Sequence, residues 1–131
     1  MTERKQGEAK QRFYERAKLS GHVGFGNKAA ILVIDEQKGM TDPECSLGSR
    51  LDDMIENSVR LIKAAKEKSV PVIYTAVAYM PDLSDAGVFG LKIPGLKEIT
   101  LGSKWAELDD RLPYEAGKDY LIIKKMSSAF F

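Results

Sequence analysis

Two charged residues follow apolar segments that are far apart in the sequence. Asp35 comes directly after the apolar run 29–34, and Lys124 comes directly after the run 120–123. If both runs are strands of one parallel sheet, the two side chains emerge at its carboxyl edge, where such sheets bind ligands. A carboxylate beside an ammonium group keeps its charge and can act as a general base toward a nucleophile or water. Asp35 and Lys124 are therefore the candidate catalytic residues.

A plainer explanation of these two residues is that strands end in solvent, where Asp and Lys are common. Their neighbours Glu36, Lys38 and Lys125 serve as internal controls. Because successive strand side chains point to alternate faces, only one of Lys124 and Lys125 points toward a shared site.

The single cysteine and the single histidine are weaker candidates. Cys45 lies in the acidic segment 41–46, where nearby negative charge raises a thiol pKa and weakens the nucleophile. His22 lies in the glycine-containing loop 21–27, which precedes a strand and so does not match a dinucleotide-binding turn. One Cys and one His exclude an internal disulfide and a Cys-rich zinc site, and disfavour a His-based metal site. We expect no metal and a reducing cytoplasmic location.

Length and charge limit the classes of function. The chain has 131 residues, enough for one domain, with 20 basic and 19 acidic residues and a net charge of +1. Such a balance provides no general attraction for nucleic acid or for an acidic membrane surface. The apolar runs are also shorter than the roughly 18 residues that a membrane span needs. We therefore expect neither nucleic acid nor a membrane as a partner.

Apolar patterning predicts an α/β fold. The runs 29–34, 70–79 and 120–123 are typical of strands buried on both faces, as in parallel sheets. Residues 51–68 have apolar positions at three- and four-residue steps, which predicts an amphipathic helix with Ser49 as its N-cap. Strand, helix and strand in this order favour a right-handed parallel crossover.

The remaining segments are less regular. Residues 1–20 predict a surface helix that docks on the body or on another subunit, or else a frayed arm. The connection 80–112 is long enough to be functional, with helical turns expected at 94–98 and 104–109. Its Phe89 and Trp105, together with Tyr79, are candidates for a pocket wall or for core packing.

Three strands with one good crossover helix amount to half of a doubly wound sheet. One face would then lack its helices, and a strand edge would stay unpaired. We therefore expect the chain to be part of a larger protein, or to be completed by a partner, and not to fold stably alone.

Two stretches of sequence resemble a known family. Residues 24–37 (GFGNKAAILVIDEQ) resemble the opening of the isochorismatase-like cysteine hydrolases, with an apolar strand, an Asp and a Gln two places later. Residues 124–131 (KKMSSAFF) resemble a second motif, in which a catalytic Lys stands four residues before Ser-Ala-Phe. Further stretches are similar to the N-carbamoylsarcosine amidohydrolase branch, which includes maleamate amidohydrolase-like enzymes: 41–43 with 46–48, Tyr79, 86–89, 92–94 and 102–103. The resemblance covers residues 24–131.

The resemblance implies a three-layer α/β/α Rossmann-like fold with a parallel sheet, of which this chain supplies about half the strands. Residues 1–23 would be a helical arm, and 24–131 the N-terminal part of one hydrolase domain. It also implies an Asp-Lys-Cys triad that opens a small amide, ureido or carbamoyl compound through a thioester. Asp35 would be the base, Lys124 would stabilise charge, and no cofactor would be needed. The implied partners are the substrate, the rest of the domain and further copies in a homo-oligomer.

The chain departs from this pattern at the nucleophile. The family's Cys lies beyond the Lys, after the next strand, and Cys45 does not match that position. Met40 stands where many members carry Phe. We therefore expect this chain alone to be catalytically incomplete. Two alternatives stay open: a Cys-less isochorismatase-type vinyl ether hydrolase, and a truncated interaction module without catalysis.

Overall fold

The computed structural model describes residues 3–18 and 24–130. The chain order is helix α1 (Glu3–Arg16), strand β1 (Ile31–Ile34), helix α2 (Lys38–Thr41), helix α3 (Asp52–Glu67), strand β2 (Val72–Val77), helix α4 (Gly87–Lys92), the 3-10 turns Pro94–Glu98 and Lys104–Ala106, and strand β3 (Tyr120–Lys124). None of the helices within these residues is long and apolar enough to cross a membrane.

The three strands form one parallel sheet in the order β1-β2-β3. Ile34 pairs with Thr75, and Thr75 pairs with Ile122 on the other side. Lys124 pairs with Val77, so the carboxyl ends of all three strands meet at one edge. This confirms the predicted α/β class and the parallel sheet. Strands β1 and β2 are slightly shorter than their apolar runs, and β3 extends one residue beyond its run, to Lys124.

Helix α3 covers one face of β1 and β2, whereas Leu121 and Ile123 of β3 are exposed. Its Ile55 and Ile62 are fully buried against Val33 of β1 and Tyr74 of β2, as the amphipathic pattern predicts. The predicted N-cap was wrong, because the cap position is Leu51 and Ser49 lies two residues before it. No side chain caps this helix; Asp52 and Asp53 in its first turn instead place negative charge at the positive end of the helix dipole.

The opposite face of the sheet presents apolar side chains to solvent. Leu32 is 41%, Ile34 60% and Ile122 42% exposed. With Ala30 and Ile73 they line an open cleft of about 680 Å³ beside residues 127–130. The uncovered face that the strand count predicts is therefore present.

The long connection after β2 folds over the carboxyl edge of the sheet. Tyr79 and Leu96 are buried there with Val77 and Ala86 in a second apolar cluster. The predicted turn at 94–98 is present, and the one predicted at 104–109 covers only Lys104–Ala106. Helices α2 and α4 were not predicted from the sequence.

The N-terminal arm contains the helix α1, as one of the two predictions for it requires. Gly7, Glu8 and residues 10–16 of this helix are exposed, so they do not dock on the sheet. Phe13 and Tyr14 meet edge to face on its surface. His22 lies outside the described residues.

Candidate active site

Asp35 is the first residue after β1, and its backbone departs from the strand. Its φ of +56° lies in the left-handed region, which Asp tolerates better than most residues. Regular alternation would place Asp35 on the same face as Val33, against α3. The left-handed turn instead brings its carboxylate to the side of Thr75 and Lys124. A strained residue of this kind is common at functional sites.

Each carboxylate oxygen of Asp35 has a different partner. The Thr75 hydroxyl donates to Oδ1 at 2.7 Å. Lys124 Nζ lies 2.7 Å from Oδ2. The Asp35 amide also donates to the Thr75 carbonyl at 3.1 Å, which continues the strand pairing by one residue. The carboxylate is thus fixed in position while its side chain stays 22% exposed.

Lys124 ends β3 with its side chain only 6% exposed. Besides Asp35, its ammonium group contacts the carbonyl oxygens of Met126 at 3.2 Å and Ser127 at 3.3 Å. Three acceptors thus surround a group that carries three protons. Pairing of this kind offsets part of the desolvation cost of a buried charge.

The neighbouring charged residues are directed elsewhere. Glu36 accepts a hydrogen bond from Ser58 at 2.8 Å, and burial raises the pKa of its carboxyl group. Lys38 forms ion pairs with Glu107 and Asp110, both at 2.8 Å.

The second lysine at the end of β3 is also held away from Asp35. Lys125 pairs with Asp85 at 2.8 Å and donates to the carbonyl of Ala78. Of the lysines near the sheet edge, the structure brings Lys124 and not Lys125 to Asp35.

Gln37 fastens the Asp35 turn to the neighbouring strand. Its side chain is fully buried, donates to the Val77 carbonyl at 2.9 Å and accepts from the Val77 amide at 2.6 Å. It also donates to the Trp105 carbonyl at 3.0 Å. The side-chain amide thereby acts as one more strand residue and ties both β2 and the long connection to the segment that follows Asp35.

A cavity of about 350 Å³ opens beside the Asp35–Lys124 pair. Its lining residues include the apolar side chains Met40, Leu47, Val77, Phe89, Ile93, Leu96 and Met126. Tyr79 and Ser127 complete the wall, and Asp35 and Lys124 provide its charges. The Tyr79 hydroxyl is engaged with the Lys125 carbonyl at 3.2 Å. Two of the three aromatic candidates thus line this cavity, whereas Trp105 packs against Lys104.

Cys45 is not part of this cavity wall. It is 2% exposed, and burial raises the pKa of its thiol, with Glu98 adding to the effect. A buried thiol with a raised pKa is a poor nucleophile. In the part of the chain that the structure describes, no three Cys, His, Asp or Glu side chains cluster as a metal site would require.

Sequence reasoning missed Thr75 as a partner of Asp35. The available signal was its position in the middle of β2, where a polar side chain interrupts an apolar run. Gln37 appeared only as part of the motif after Asp35, with no structural role attached to it.

The chain is similar in sequence to proteins of one family. Residues 29–131 match the isochorismatase domain. The chain is 31% identical to N-carbamoylsarcosine amidase of Arthrobacter over 129 residues, which is 94% of this chain and 48% of that protein. It is also 31% identical to maleamate amidohydrolase of Pseudomonas putida over 111 residues, which is 83% of this chain and 52% of that protein. The chain thus spans about half the length of the curated relatives it matches.

Solved structures share the fold. A cysteine hydrolase from Pseudomonas syringae pv. phaseolicola superposes with a TM-score of 0.73 at 24% identity, covering 85% of this chain and 55% of that one. N-carbamoylsarcosine amidase from Thermoplasma acidophilum superposes with a TM-score of 0.64 at 21% identity, covering 79% of this chain and 56% of that one. Together with the domain match over residues 29–131, these similarities show that the chain belongs to the isochorismatase family.

Proposed function

We propose that this chain supplies the base and the charge-stabilising lysine of a cysteine amidohydrolase. Asp35 is the base and Lys124 the stabilising cation, and the nucleophilic Cys comes from outside this chain. The observation that carries the proposal is the 2.7 Å contact between the two side chains on the wall of a small cavity. The proposed substrate is a small amide, ureido or carbamoyl compound.

Each step of the proposed reaction uses one of these groups. Asp35 takes the thiol proton as the sulfur attacks the carbonyl carbon, and it passes that proton to the departing ammonia or amine. The resulting thioester is then attacked by water, whose proton returns through Asp35 to the thiolate. Throughout, the Lys124 ammonium group stabilises the negative charge that moves between carboxylate and sulfur.

The cavity supports a small substrate with an apolar part. Its volume of about 350 Å³ is at the low end for ligand sites, and Met40, Phe89 and Leu96 form much of its wall. The names of the two curated relatives, an amidase and an amidohydrolase, favour a carbon–nitrogen bond as the reacting group.

The uncovered sheet face supports completion of the domain by further polypeptide. Burying an Ile or Leu side chain contributes roughly 1.5–3 kcal/mol, and Leu32, Ile34 and Ile122 all lie open on that face. We propose that 1–23 is an arm, that 24–131 is the N-terminal part of one domain, and that the remaining part covers this face and brings the Cys. Cytoplasmic location and a homo-oligomer stay predictions.

The test is hydrolysis by the whole native protein. A panel of small amides, ureido acids and carbamoyl compounds is incubated with it, and release of ammonia or amine is measured. Mass spectrometry of the quenched reaction should show an acyl adduct on Cys. Asp35→Asn should lose activity by about 10²- to 10⁴-fold. The control Asp110→Asn should retain activity, since Asp110 is 84% exposed and pairs with Lys38 at the surface.

The alternatives give different results in the same assay. Cleavage of a vinyl ether without ammonia and without an adduct would replace the amidase by an ether hydrolase. If no substrate is turned over, and if the Ala variants of Asp35 and Lys124 fold as the wild type does, a non-catalytic interaction module is favoured.

A further inference from the structure

Thr75 occupies the middle of the sheet, beneath the candidate catalytic pair. It lies on β2, pairs with Ile34 on one side and Ile122 on the other, and is 2% exposed. Its hydroxyl is therefore shielded from water and has only the surrounding protein groups as partners.

The Thr75 hydroxyl contacts Asp35 at two points. It accepts the Asp35 amide at 3.2 Å and donates its single proton to Oδ1 at 2.7 Å. Because the hydroxyl has one proton, this donation fixes its direction. Oδ1 is thereby held, and Oδ2 is left to face Lys124.

The hydroxyl is not needed to pair the strands. The Asp35 amide also reaches the Thr75 carbonyl, at 3.1 Å, so the backbone keeps a bond when the hydroxyl is removed. What the hydroxyl adds is an anchor for Oδ1 of the Asp35 carboxylate, beside the contact of Lys124 Nζ with Oδ2.

We infer that Thr75 is a positioning residue for the general base, holding the Asp35 carboxylate so that one oxygen faces Lys124. This inference rests on the proposed function. Misplacing a reacting group by about 1 Å can reduce a rate 100-fold, so loss of the hydroxyl should lower kcat while leaving KM unchanged.

The test compares Thr75→Val with Thr75→Ser in the whole native protein. Val keeps the shape of Thr and removes the hydroxyl, and we expect kcat to fall by about 10- to 100-fold. Ser restores the hydroxyl and should recover most of kcat. Thr41→Val is the matched control, because Thr41 is also buried and donates to a carboxylate at 2.7 Å, that of Asp109, away from the cavity. It should lower stability and leave kcat unchanged.

The position of the Asp35 carboxylate tests the role of Thr75 independently of activity. In a crystal structure of Thr75→Val, we expect the Asp35 carboxylate to rotate and its distance from Lys124 Nζ to exceed the roughly 4 Å limit of an ion pair. An unmoved carboxylate, or equal kcat values for the Val and Ser variants, would overturn the role of Thr75. If the wild-type protein hydrolyses none of the substrates, the proposed function fails instead, and the crystal structure alone decides whether Thr75 positions Asp35.

Discussion

Asp35 and Lys124 meet across a strand that belongs to neither of them. Asp35 follows β1, Lys124 ends β3, and β2 lies between these strands, yet Oδ2 and Nζ are 2.7 Å apart. Neighbouring strands are about 4.8 Å apart, so the two backbones are separated by roughly twice that distance. The long lysine side chain spans the gap over β2. The geometry of the pair therefore depends on β2, where Thr75 holds Asp35 and Val77 pairs with Lys124.

The two adjacent lysines at the end of β3 provide a matched pair of variants. Lys124→Met removes the ammonium group that faces Asp35, and we expect kcat for amide hydrolysis to fall by about 10²- to 10³-fold. Lys125→Met removes the ion pair with Asp85 instead, so we expect a much smaller loss of kcat and a lower Tm. Steady-state ammonia release and thermal denaturation measure the two effects. Equal losses of kcat would contradict the assignment of Lys124.

Gln37 should contribute strongly to the stability of the fold, because its buried side chain bonds two other segments of the chain. Gln37→Leu leaves the amide and carbonyl of Val77 and the carbonyl of Trp105 without partners in a buried place. We expect the free energy of unfolding to fall by about 2–4 kcal/mol, as measured by urea denaturation of the whole native protein. Gln11→Ala is the control: Gln11 donates to Glu15 on the exposed surface of α1, and its loss should change stability by less than about 0.5 kcal/mol.

Much of the fold could be predicted because local apolar patterns indicate its strands and its main helix. The continuous apolar runs marked β1, β2 and β3, and the stepwise apolar positions of α3 matched the buried Ile55 and Ile62. The carboxyl ends of parallel strands share one edge, so the sequence alone predicts that Asp35 and Lys124 lie close together.

The elements that were not predicted depend on tertiary contacts. Helix α2 has four residues and contains Gly39, where a Cβ would lie only 2.8 Å from the Trp105 carbonyl. That close approach, and not helix propensity, places a glycine there. Helix α4 holds two glycines in six residues, so its composition argues against a helix.

The finer geometry of the site also depends on long-range contacts. The left-handed backbone of Asp35 is allowed for Asp but is not required by the sequence, and strict alternation would have placed the carboxylate on the wrong face. The bonds from Gln37 to Val77 and from Thr75 to Asp35 each join residues 40 positions apart. Residue types alone do not indicate such pairings.

The stabilisation that Asp109 gives the fold should depend on pH. The Arg111 guanidinium group and the Thr41 hydroxyl hold the pKa of this carboxyl well below its usual range. Because the pKa is lower in the folded state, the stabilisation is complete at a pH above the carboxyl pKa of the unfolded chain, about 3.9. It is lost as the pH falls toward the pKa of the folded state. Asp109→Asn should therefore cost about 1.5–3 kcal/mol at pH 7.

The sign of this effect is tested by repeating urea denaturation at lower pH. The difference in the free energy of unfolding between wild type and Asp109→Asn should stay constant from pH 7 to about pH 5. Below about pH 4 this difference should decrease, by up to roughly 1.4 kcal/mol per pH unit. A gap of the same size at pH 3 and at pH 7 would show that Asp109 does not titrate differently in the folded state.

Residues 1–131 expressed alone should not behave as a stable monomer. One sheet face leaves Leu32, Ile34 and Ile122 in contact with water, and an exposed apolar patch of this kind promotes association. We expect the isolated chain to bind a hydrophobic dye, to associate with itself and to lack a cooperative thermal transition, as measured by calorimetry and light scattering. Replacing Ile34 and Ile122 together with Thr should reduce association without restoring cooperativity, since the missing contacts remain absent. A sharp, reversible transition of a monomer would instead mean that α3 and the two apolar clusters are sufficient to hold the sheet.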